Sequence, residues 1–300
     1  MRTRAARGVC CLALMLLAAS ATAREPVRRM PPEAAQAMVA RLLVPSPYRM
    51  SAEALSGEVR YRLRFETPRD WDWPQTGEQM VAIQGDAIHL RICAGCGTEP
   101  APDAATLARA LAANHTVNSD NAQVRAFARR HARGGDVHAR MRRLTQAVRA
   151  HMTGPVIAHE YLDAAEALRT RRGDCTEYAV LLAAAARARG IPARLVYGLA
   201  YSSRFTGHAH VFSPHMWVQV WDGARWTSYD AGFQRFDAGH IALHVDDGSA
   251  AWIDSLQQAM TDLVIEDAFG VVPADAPASA RGRRSESTSE TTSGRTGTSD

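Results

Sequence analysis

The chain has 300 residues, 46% of them apolar, which is enough to bury one large core or two modest ones. Its formal net charge is +4, every cation is an arginine, and these arginines are dispersed among acidic residues. No basic arm is present, so we expect no nucleic-acid partner.

Residues 1–23 have the pattern of a secretory signal peptide. Three arginines fall within the first seven residues, an apolar stretch follows over 9–20, and Ala21-Thr22-Ala23 offers a small-residue cleavage site. The apolar stretch is short for a membrane span. We therefore expect a mature chain from about Arg24, periplasmic or secreted, with no stable membrane span after cleavage. An uncleaved anchor is the minor alternative.

Residues 24–103 are expected to form a β-rich N-terminal region. A short helix is predicted over 31–42, and apolar residues at every second position from Val59 to Phe65 predict a strand. Two further strands, over 80–84 and 87–93, flank Gly85-Asp86, which is a hairpin signal. These features predict a small antiparallel β unit.

The β unit ends in a C-A-G-C sequence that contains Cys93 and Cys96. The two cysteines are close enough for a local disulfide or for half of a metal site, and we favour the disulfide in an exported protein. A thioredoxin-type redox pair fits less well, because no helix pattern opens on the motif. A disulfide would leave Cys175 unpaired in the mature chain.

Residues 104–272 combine helices and strands and are expected to form a catalytic domain. Helical patterns cover 104–113, 119–133 and 136–152, and Asp163 with Glu166 predicts the capped start of another helix. The final segment, 273–300, has few apolar residues and is expected to be a disordered tail.

Cys175 lies at the predicted start of a helix. Asp174 is a suitable N-cap, Glu177 follows it by three residues, and Gly190 with Pro192 marks the end of the helix. Free N–H groups and the positive end of the helix dipole favour a thiolate, so we expect a lowered thiol pKa and a nucleophilic role. The alternative is that Cys175 is a small apolar packing residue.

A thiolate nucleophile needs a base and an acceptor that orients the base. If Asp222-Gly223 forms a two-residue hairpin turn, His215 lies directly opposite Asp230, with Cβ atoms about 4.5–5.5 Å apart. If the loop has four residues, 222–225, Asp230 faces Trp217 and is a diagonal neighbour of His215. Both registers predict a His–Asp pair on one face of the sheet.

Four other residues could compete for these roles. His208 and His210 could form a metal trio with His215, but a surface or supporting role is favoured because no acid is placed to help. His240 is expected to be structural. Glu177 is an alternative acid whose predicted capping role already explains it.

These motifs resemble the transglutaminase-like superfamily, in its exported bacterial cysteine-peptidase form. The resemblance rests on GDCTEYAVLLAAAARARGIPARLVYG, on HMWVQVWDGARWTSYDA and on the later FDAGHIAL, and it is strongest over residues 161–245. It implies an α+β fold with a papain-like core, in which a nucleophile helix packs on an antiparallel sheet, next to the small N-terminal β unit.

The resemblance also implies a chemistry and three site residues. Cys175 is the nucleophile, His215 the base and acid, and Asp230 the orienting carboxylate; the backbone N–H of Cys175 is an expected oxyanion donor. The family often has Asp-Ala-Thr where this chain has Asp230-Ala231-Gly232, which puts any role of the threonine hydroxyl in doubt. No calcium-site counterpart is found, so no metal and no cofactor are expected.

We therefore expect an exported thiol hydrolase that acts on peptide or isopeptide amides through a thioester. Its partner is a peptide or protein substrate, which could belong to the cell envelope. Transamidation of protein glutamine is one alternative. The other is a non-catalytic binding or scaffold module on the same fold.

Overall fold

The structure is a computed structural model that describes residues 37, 40–154, 161–248, 253–269 and 272–273. The predicted signal peptide, most of the helix predicted over 31–42 and the tail beyond Pro273 lie outside these residues. Within them, no helix combines the length and the apolar character that crossing a membrane requires.

The N-terminal region is rich in β structure, as the alternating pattern predicts. Its elements are β1 Val44–Pro45, β2 Tyr48–Arg49, helix α1 Ala52–Ser56, β3 Val59–Phe65, β4 Gln79–Gln84 and β5 Ala87–Ile92. In β3 every second side chain from Val59 to Phe65 is buried, which confirms the predicted strand and its inward face. Gln84 pairs with Ala87 across Gly85, whose φ of +61° suits the tight turn, so the hairpin is also confirmed.

Five helices follow in the described residues. They are α2 Ala104–Leu111, α3 Ala122–His131, α4 Val137–His151, α5 Ala164–Thr170 and α6 Cys175–Arg187. Asp103, Asn121, Asp136 and Asp163 are the N-caps of the first four, each accepting backbone N–H groups of the first helical turn. The predicted helical block is therefore present, with its ends set by capping side chains.

The remaining elements are mostly strands. They are β6 Ala193–Phe205, β7 His208–Trp221, β8 Trp226–Tyr229, β9 His240–Asp246, helix α7 Ile253–Asp262, β10 Leu263–Phe269 and β11 Val272–Pro273. An antiparallel sheet has the order β1-β7-β6-β9, and β8 pairs with β7. A second antiparallel sheet has the order β10-β3-β5-β4.

Strands far apart in the sequence join the two ends of the chain. Strand β10 pairs with β3 over Leu263–Phe269, and β1 pairs with β7 through Val44 and Phe212. Pro273, which the sequence placed at the start of the tail, belongs to β11 and pairs with Tyr48. Strand β10 therefore completes the sheet that β3, β4 and β5 begin, and β11 forms a separate two-stranded sheet with β2.

One continuous group of buried apolar side chains extends through both sheets and the helices. Helix α6 lies at its centre, and its buried residues from Ala179 to Ala186 are mostly alanine and leucine. Small side chains let a helix approach a sheet closely, and α6 packs against β7 and β6. This packing places the first turn of α6 beside β7.

The C-A-G-C loop is closed by a disulfide between Cys93 and Cys96, so the favoured prediction for this pair is confirmed. The loop is also held from outside. The Gly97 N–H donates to the Gly77 carbonyl at 3.0 Å, and the Arg194 guanidinium of β6 binds both carboxylate oxygens of Glu99 at 2.7 and 2.9 Å. The disulfide loop is therefore part of the contact between the N-terminal region and the β6–β7 sheet.

Candidate active site

The first turn of α6 has the capping box that the sequence predicts. Asp174 accepts the Thr176 N–H at 2.9 Å, and the Glu177 carboxylate accepts the Asp174 N–H at 2.9 Å. Gly173 has a φ of +139°, and a Cβ at this position would collide with the Glu177 side chain. Glycine is therefore required just before the cap, and Cys175 is the first residue of the helix, as expected.

The hairpin that presents His215 has the longer of the two predicted loops. Val218 pairs with Tyr229 and Trp221 with Trp226, so four residues, 222–225, form the loop. The prediction of a two-residue turn at Asp222-Gly223 is therefore wrong. The side chain of Asp222 accepts the N–H groups of Ala224 and Arg225, and these bonds close the four-residue loop.

His215 and Asp230 nevertheless form the predicted pair. His215 Nε2 lies 2.7 Å from Asp230 Oδ2, and both side chains are almost completely buried. Strand β8 ends at Tyr229, so Asp230 begins the following loop and reaches back to its diagonal neighbour. Nε2 is occupied by Asp230, which leaves Nδ1 as the ring nitrogen available to a nucleophile.

Cys175, His215 and Asp230 converge at Gly232. A Cβ placed on Gly232 would lie 3.2 Å from Asp230 Oδ1, 3.3 Å from His215 Cε1 and 3.9 Å from Cys175 Cβ. The backbone N–H of Met216, the residue after His215, also favours the charged form of the Cys175 sulfur. The structure thus brings together the three residues that the sequence singled out.

The Asp230 carboxylate is surrounded by donors. Oδ1 accepts the N–H groups of Gly232 at 2.7 Å and Phe233 at 3.1 Å, while Oδ2 faces Nε2 of His215 at 2.7 Å and Nε2 of His240 at 3.1 Å. These bonds outweigh the cost of burial and hold the pKa of Asp230 well below its usual range. Asp230 is therefore a carboxylate at neutral pH.

His240 is the site residue that the sequence analysis missed, because it was expected to be only structural. It is buried, and its pKa rises to about 9 because hydrogen bonds and charge from Asp230 and Asp237 outweigh desolvation. The repeated Asp-Ala-Gly sequence, at 230–232 and again at 237–239 directly before His240, is the signal that could have drawn attention to it.

The electrostatics of Cys175 differ from the expectation. Burial raises the pKa of the thiol well above its ordinary value, and the nearby carboxylates of Asp174, Asp230 and Glu177 raise it further, while the Met216 N–H acts in the opposite direction. The predicted lowering of the thiol pKa is therefore wrong for the resting enzyme, because burial, with the nearby carboxylates as a second cause, outweighs any effect of the helix terminus.

Glu177 is buried under the first turn of α6. Its carboxyl also accepts the Leu162 N–H at 3.1 Å, so it joins the start of α6 to the segment before α5. Burial, with the charge of Asp174 as a second cause, raises the pKa of Glu177 to about 8. Glu177 is thus a structural acid of the capping box, as the sequence indicated.

Aromatic rings enclose the imidazole of His215. Phe233 stacks on it with ring centroids 4.3 Å apart, and Trp217 lies nearly parallel at 6.2 Å. Phe233 is 37% exposed, so it is the part of this aromatic cluster that faces solvent beside His215.

Two groups of described residues have possible metal-ligand atoms within 4.8 Å of one another: Glu58 with Cys93 and Cys96, and His215 with Asp230 and His240. The first pair of sulfurs is already a disulfide, and in the second group the imidazole nitrogens are hydrogen-bonded to the buried carboxylate. We assign no metal to either group. His208 is exposed, and His210 hydrogen-bonds through Nδ1 to the Tyr201 hydroxyl at 2.7 Å, away from the predicted metal trio.

Residues 125–231 match the family model of the transglutaminase-like superfamily. The matched region runs from α3 to the residue after Asp230 and includes both Cys175 and His215. This part of the chain is therefore similar to the transglutaminase-like superfamily, and the helices and antiparallel sheets of the structure confirm the expected α+β fold. The superfamily is one of thiol-dependent enzymes, often cysteine proteases or transglutaminases.

Two solved structures of low sequence identity are similar to the chain over part of its length. A candidate cysteine protease from Cytophaga hutchinsonii is 14% identical, with 70% of this chain and 85% of that chain covered and a TM-score of 0.44. The periplasmic domain of TgpA from Pseudomonas aeruginosa, bound to ethylmercury, is 18% identical, with coverages of 69% and 95% and a TM-score of 0.40. No curated protein matches the chain.

Proposed function

We propose that the protein is a thiol-dependent acyl-transfer enzyme, a cysteine peptidase or amidase that hydrolyses peptide or isopeptide amides. The observation that supports this most directly is the convergence of Cys175, His215 and Asp230 within 4 Å of one point beside Gly232. A nucleophile, a base and a buried carboxylate that orients the base are the parts that covalent acyl transfer needs.

The raised pKa of Cys175 indicates which proton-transfer order to expect. The thiol keeps its proton in the resting enzyme, and His215 removes that proton as the sulfur attacks the amide carbonyl. The Asp230 carboxylate that disfavours a thiolate also stabilises the imidazolium that forms. General-base attack therefore fits the site better than a preformed thiolate–imidazolium pair.

The remaining steps follow from the same groups. The imidazolium of His215 donates its proton to the leaving amine as the C–N bond breaks, which leaves a thioester on Cys175. Water then attacks the thioester, His215 takes the water proton, and the sulfur leaves and is reprotonated. The Cys175 N–H, which has no intrahelical partner in the first turn, would donate to the carbonyl oxygen.

A periplasmic or secreted location is part of this proposal. The Cys93–Cys96 disulfide is typical of oxidising compartments, and the signal pattern of residues 1–23 provides a route of export. A substrate in the cell envelope would be accessible to such a protein.

A non-catalytic binding module is the second candidate, and the high thiol pKa is the observation that favours it. A thiol that stays protonated among acids can persist as a packing residue after catalysis has been lost. Transamidation differs from hydrolysis only in the acceptor, an amine in place of water, so the same three residues would serve it.

The test uses labelled casein and a glutamine peptide as probes, with dansylcadaverine as the amine. We expect the purified mature protein to cleave the casein or release ammonia from the peptide, and Cys175→Ala and His215→Ala to abolish this. Dansylcadaverine incorporation above hydrolysis would favour transamidation. A Cys175→Ala protein as active as the wild type would contradict the assignment. A Cys175 that forms no acyl-enzyme with a peptide thioester and resists iodoacetamide up to about pH 9 would favour the binding module.

A further inference from the structure

His240 has a carboxylate at each ring nitrogen. Nε2 lies 3.1 Å from Asp230 Oδ2, and Nδ1 lies 3.0 Å from Asp237 Oδ1. A neutral imidazole has one N–H and can donate to only one of them, whereas an imidazolium can donate to both. The raised pKa of His240 agrees with the doubly protonated ring.

Asp237 is held in its turn by the backbone at the start of β9. Its Oδ1 also accepts the Gly239 N–H at 2.9 Å, and the Asp237 N–H lies 3.2 Å from His240 Nδ1. The Asp237 side chain is about 20% exposed, whereas His240 and Asp230 are each about 1% exposed. The chain Asp237–His240–Asp230–His215 therefore runs from the protein surface to the catalytic imidazole.

We propose that His240 is a positioning residue of the active site: its Nε2–H fixes the Asp230 carboxylate in the orientation that His215 uses, and Asp237 fixes the His240 ring. The catalytic consequence of this inference rests on the proposed function. The hydrogen-bonded arrangement does not, because it can be probed through the thiol alone.

Two physical effects follow from this arrangement. One effect is geometric. Without the N–H of His240, Asp230 Oδ2 keeps only its hydrogen bond to His215. The carboxylate can then turn while Oδ1 stays bonded to the backbone N–H groups of Gly232 and Phe233. The other is electrostatic: the His240 cation offsets the Asp230 charge, which otherwise opposes a thiolate on Cys175.

The groups that face His240 are few. Asp230 and Asp237 supply the charge, and His215 lies with its ring centroid 5.5 Å away. Trp217 at 5.2 Å and Phe236 at 5.1 Å are the aromatic neighbours. The two carboxylates thus dominate the environment of the ring. Removing the ring charge should therefore change the electrostatic environment of Asp230 most.

Two substitutions separate the effects. In His240→Gln the side-chain amide can still donate to Asp230 from about the position of Nε2, but the charge is lost. In His240→Leu both the donor and the charge are lost, while the volume is nearly kept. His210→Gln is the matched control, because His210 binds Tyr201 rather than the site.

The first measurement is the pH dependence of iodoacetamide alkylation of Cys175, read by mass spectrometry in the full mature chain. We expect the alkylation midpoint to move to higher pH in His240→Leu, which removes the donor to Asp230, to move less in His240→Gln, which keeps a donor, and to stay unchanged in His210→Gln. The second is kcat/KM on the casein or peptide probe: His240→Gln should stay within about 10-fold of wild type at its own pH optimum, and His240→Leu should lose about 100-fold.

The outcomes are distinguishable. An unmoved alkylation midpoint in folded His240→Leu protein overturns the inference, as does wild-type kcat/KM in that variant. If His240→Leu does not fold, as circular dichroism would show, His240→Gln decides: a loss of kcat/KM well beyond about 10-fold overturns the inference, because this variant keeps the donor to Asp230. Failure of the proposed function looks different: the wild type then lacks turnover of any probe, while the alkylation midpoints still report whether His240 acts on the site.

Discussion

Nε2 of His215 lies 2.7 Å from Oδ2 of Asp230, and the two side chains are only 2% and 1% exposed. A hydrogen bond between groups so well shielded is little weakened by solvent, and removing either partner leaves a buried polar group unsatisfied. The pair is therefore part of both the fold and the site, and variants of it must be judged by stability as well as by turnover.

Replacing Asp230 by asparagine is expected to impair catalysis less than removing His215. Asparagine keeps one acceptor oxygen, but its amide group then faces N–H donors that the carboxylate now accepts. We expect kcat/KM to fall about 100-fold in Asp230→Asn and about 10,000-fold in His215→Ala.

Both variants are compared with the wild type on the same peptide probe, and thermal unfolding is recorded alongside. Asp230→Asn should also lower the free energy of unfolding by about 1–3 kcal/mol. Full activity in Asp230→Asn would show that the carboxylate does not orient His215.

The site could be predicted from the sequence where its signals are local. The capping residues around Cys175 fix the start of α6, and the hairpin over residues 215–230 predicts the pair of His215 and Asp230 in either register. The thiol pKa could not be predicted, because it depends on burial and on the distance to Asp230. His240 was missed for a related reason: its partners come from loops whose packing the sequence does not specify.

In this chain Gly232, where the family often has threonine, is expected to accept alanine only with a loss of activity. A Cβ would lie 3.2 Å from Asp230 Oδ1 and 3.3 Å from His215 Cε1, which is closer than normal packing allows. We expect Gly232→Ala to lower kcat/KM about 10- to 100-fold and the free energy of unfolding by about 1–2 kcal/mol.

Gly77→Ala is the matched control, because a Cβ there meets only the Trp226 carbonyl at an ordinary 3.6 Å. Its activity should equal that of the wild type. If Gly232→Ala also has wild-type kcat/KM, the space between Gly232 and the side chains of Cys175, His215 and Asp230 is larger than the distances above indicate.

Alkaline pH is expected to destabilise the protein through Glu177. Its pKa rises from 4.5 to about 8 on folding, so the folded state binds a proton that the unfolded chain has released. The stability associated with this proton is complete below about pH 4.5 and is lost as the pH rises through about 8. His240 adds a second loss, since its pKa rises from 6.5 to about 9.

The measurement is the melting temperature of wild type and Glu177→Gln at steps between about pH 5 and pH 9. Glutamine cannot accept both backbone N–H groups, so the variant should melt lower throughout. The melting temperature of Glu177→Gln should nevertheless change little between about pH 5 and 7, because this variant lacks the carboxyl group that loses a proton there. An equally steep decline in the variant would assign the pH dependence to other groups.

The fold could be predicted where hydrophobic periodicity is clear and adjacent segments pair. Strand β3 and the β4–β5 hairpin follow from alternation and from Gly85. The pairing of β10 with β3 joins residues about 200 positions apart, and no local pattern encodes it. The buried carboxyl of Glu78, which accepts the Ser228 N–H at 3.0 Å and the Gln219 amide at 3.0 Å, is equally non-local.

The Cys93–Cys96 disulfide is expected to stabilise the protein modestly without affecting the candidate site. It closes a loop of four residues, so its entropic contribution is about 2 kcal/mol, less than that of a long loop. The Glu99–Arg194 ion pair and the Gly97–Gly77 hydrogen bond also hold this loop, so it should stay in place when the disulfide is removed.

We expect Cys93→Ser with Cys96→Ser to lower the free energy of unfolding by about 2 kcal/mol and to leave the alkylation midpoint of Cys175 unchanged. Urea unfolding with and without a reducing agent measures the first effect, and in the double variant the reducing agent should have no further effect. A shifted Cys175 midpoint in that variant would mean that the disulfide loop, through Glu78 and β8, also sets the geometry of the site.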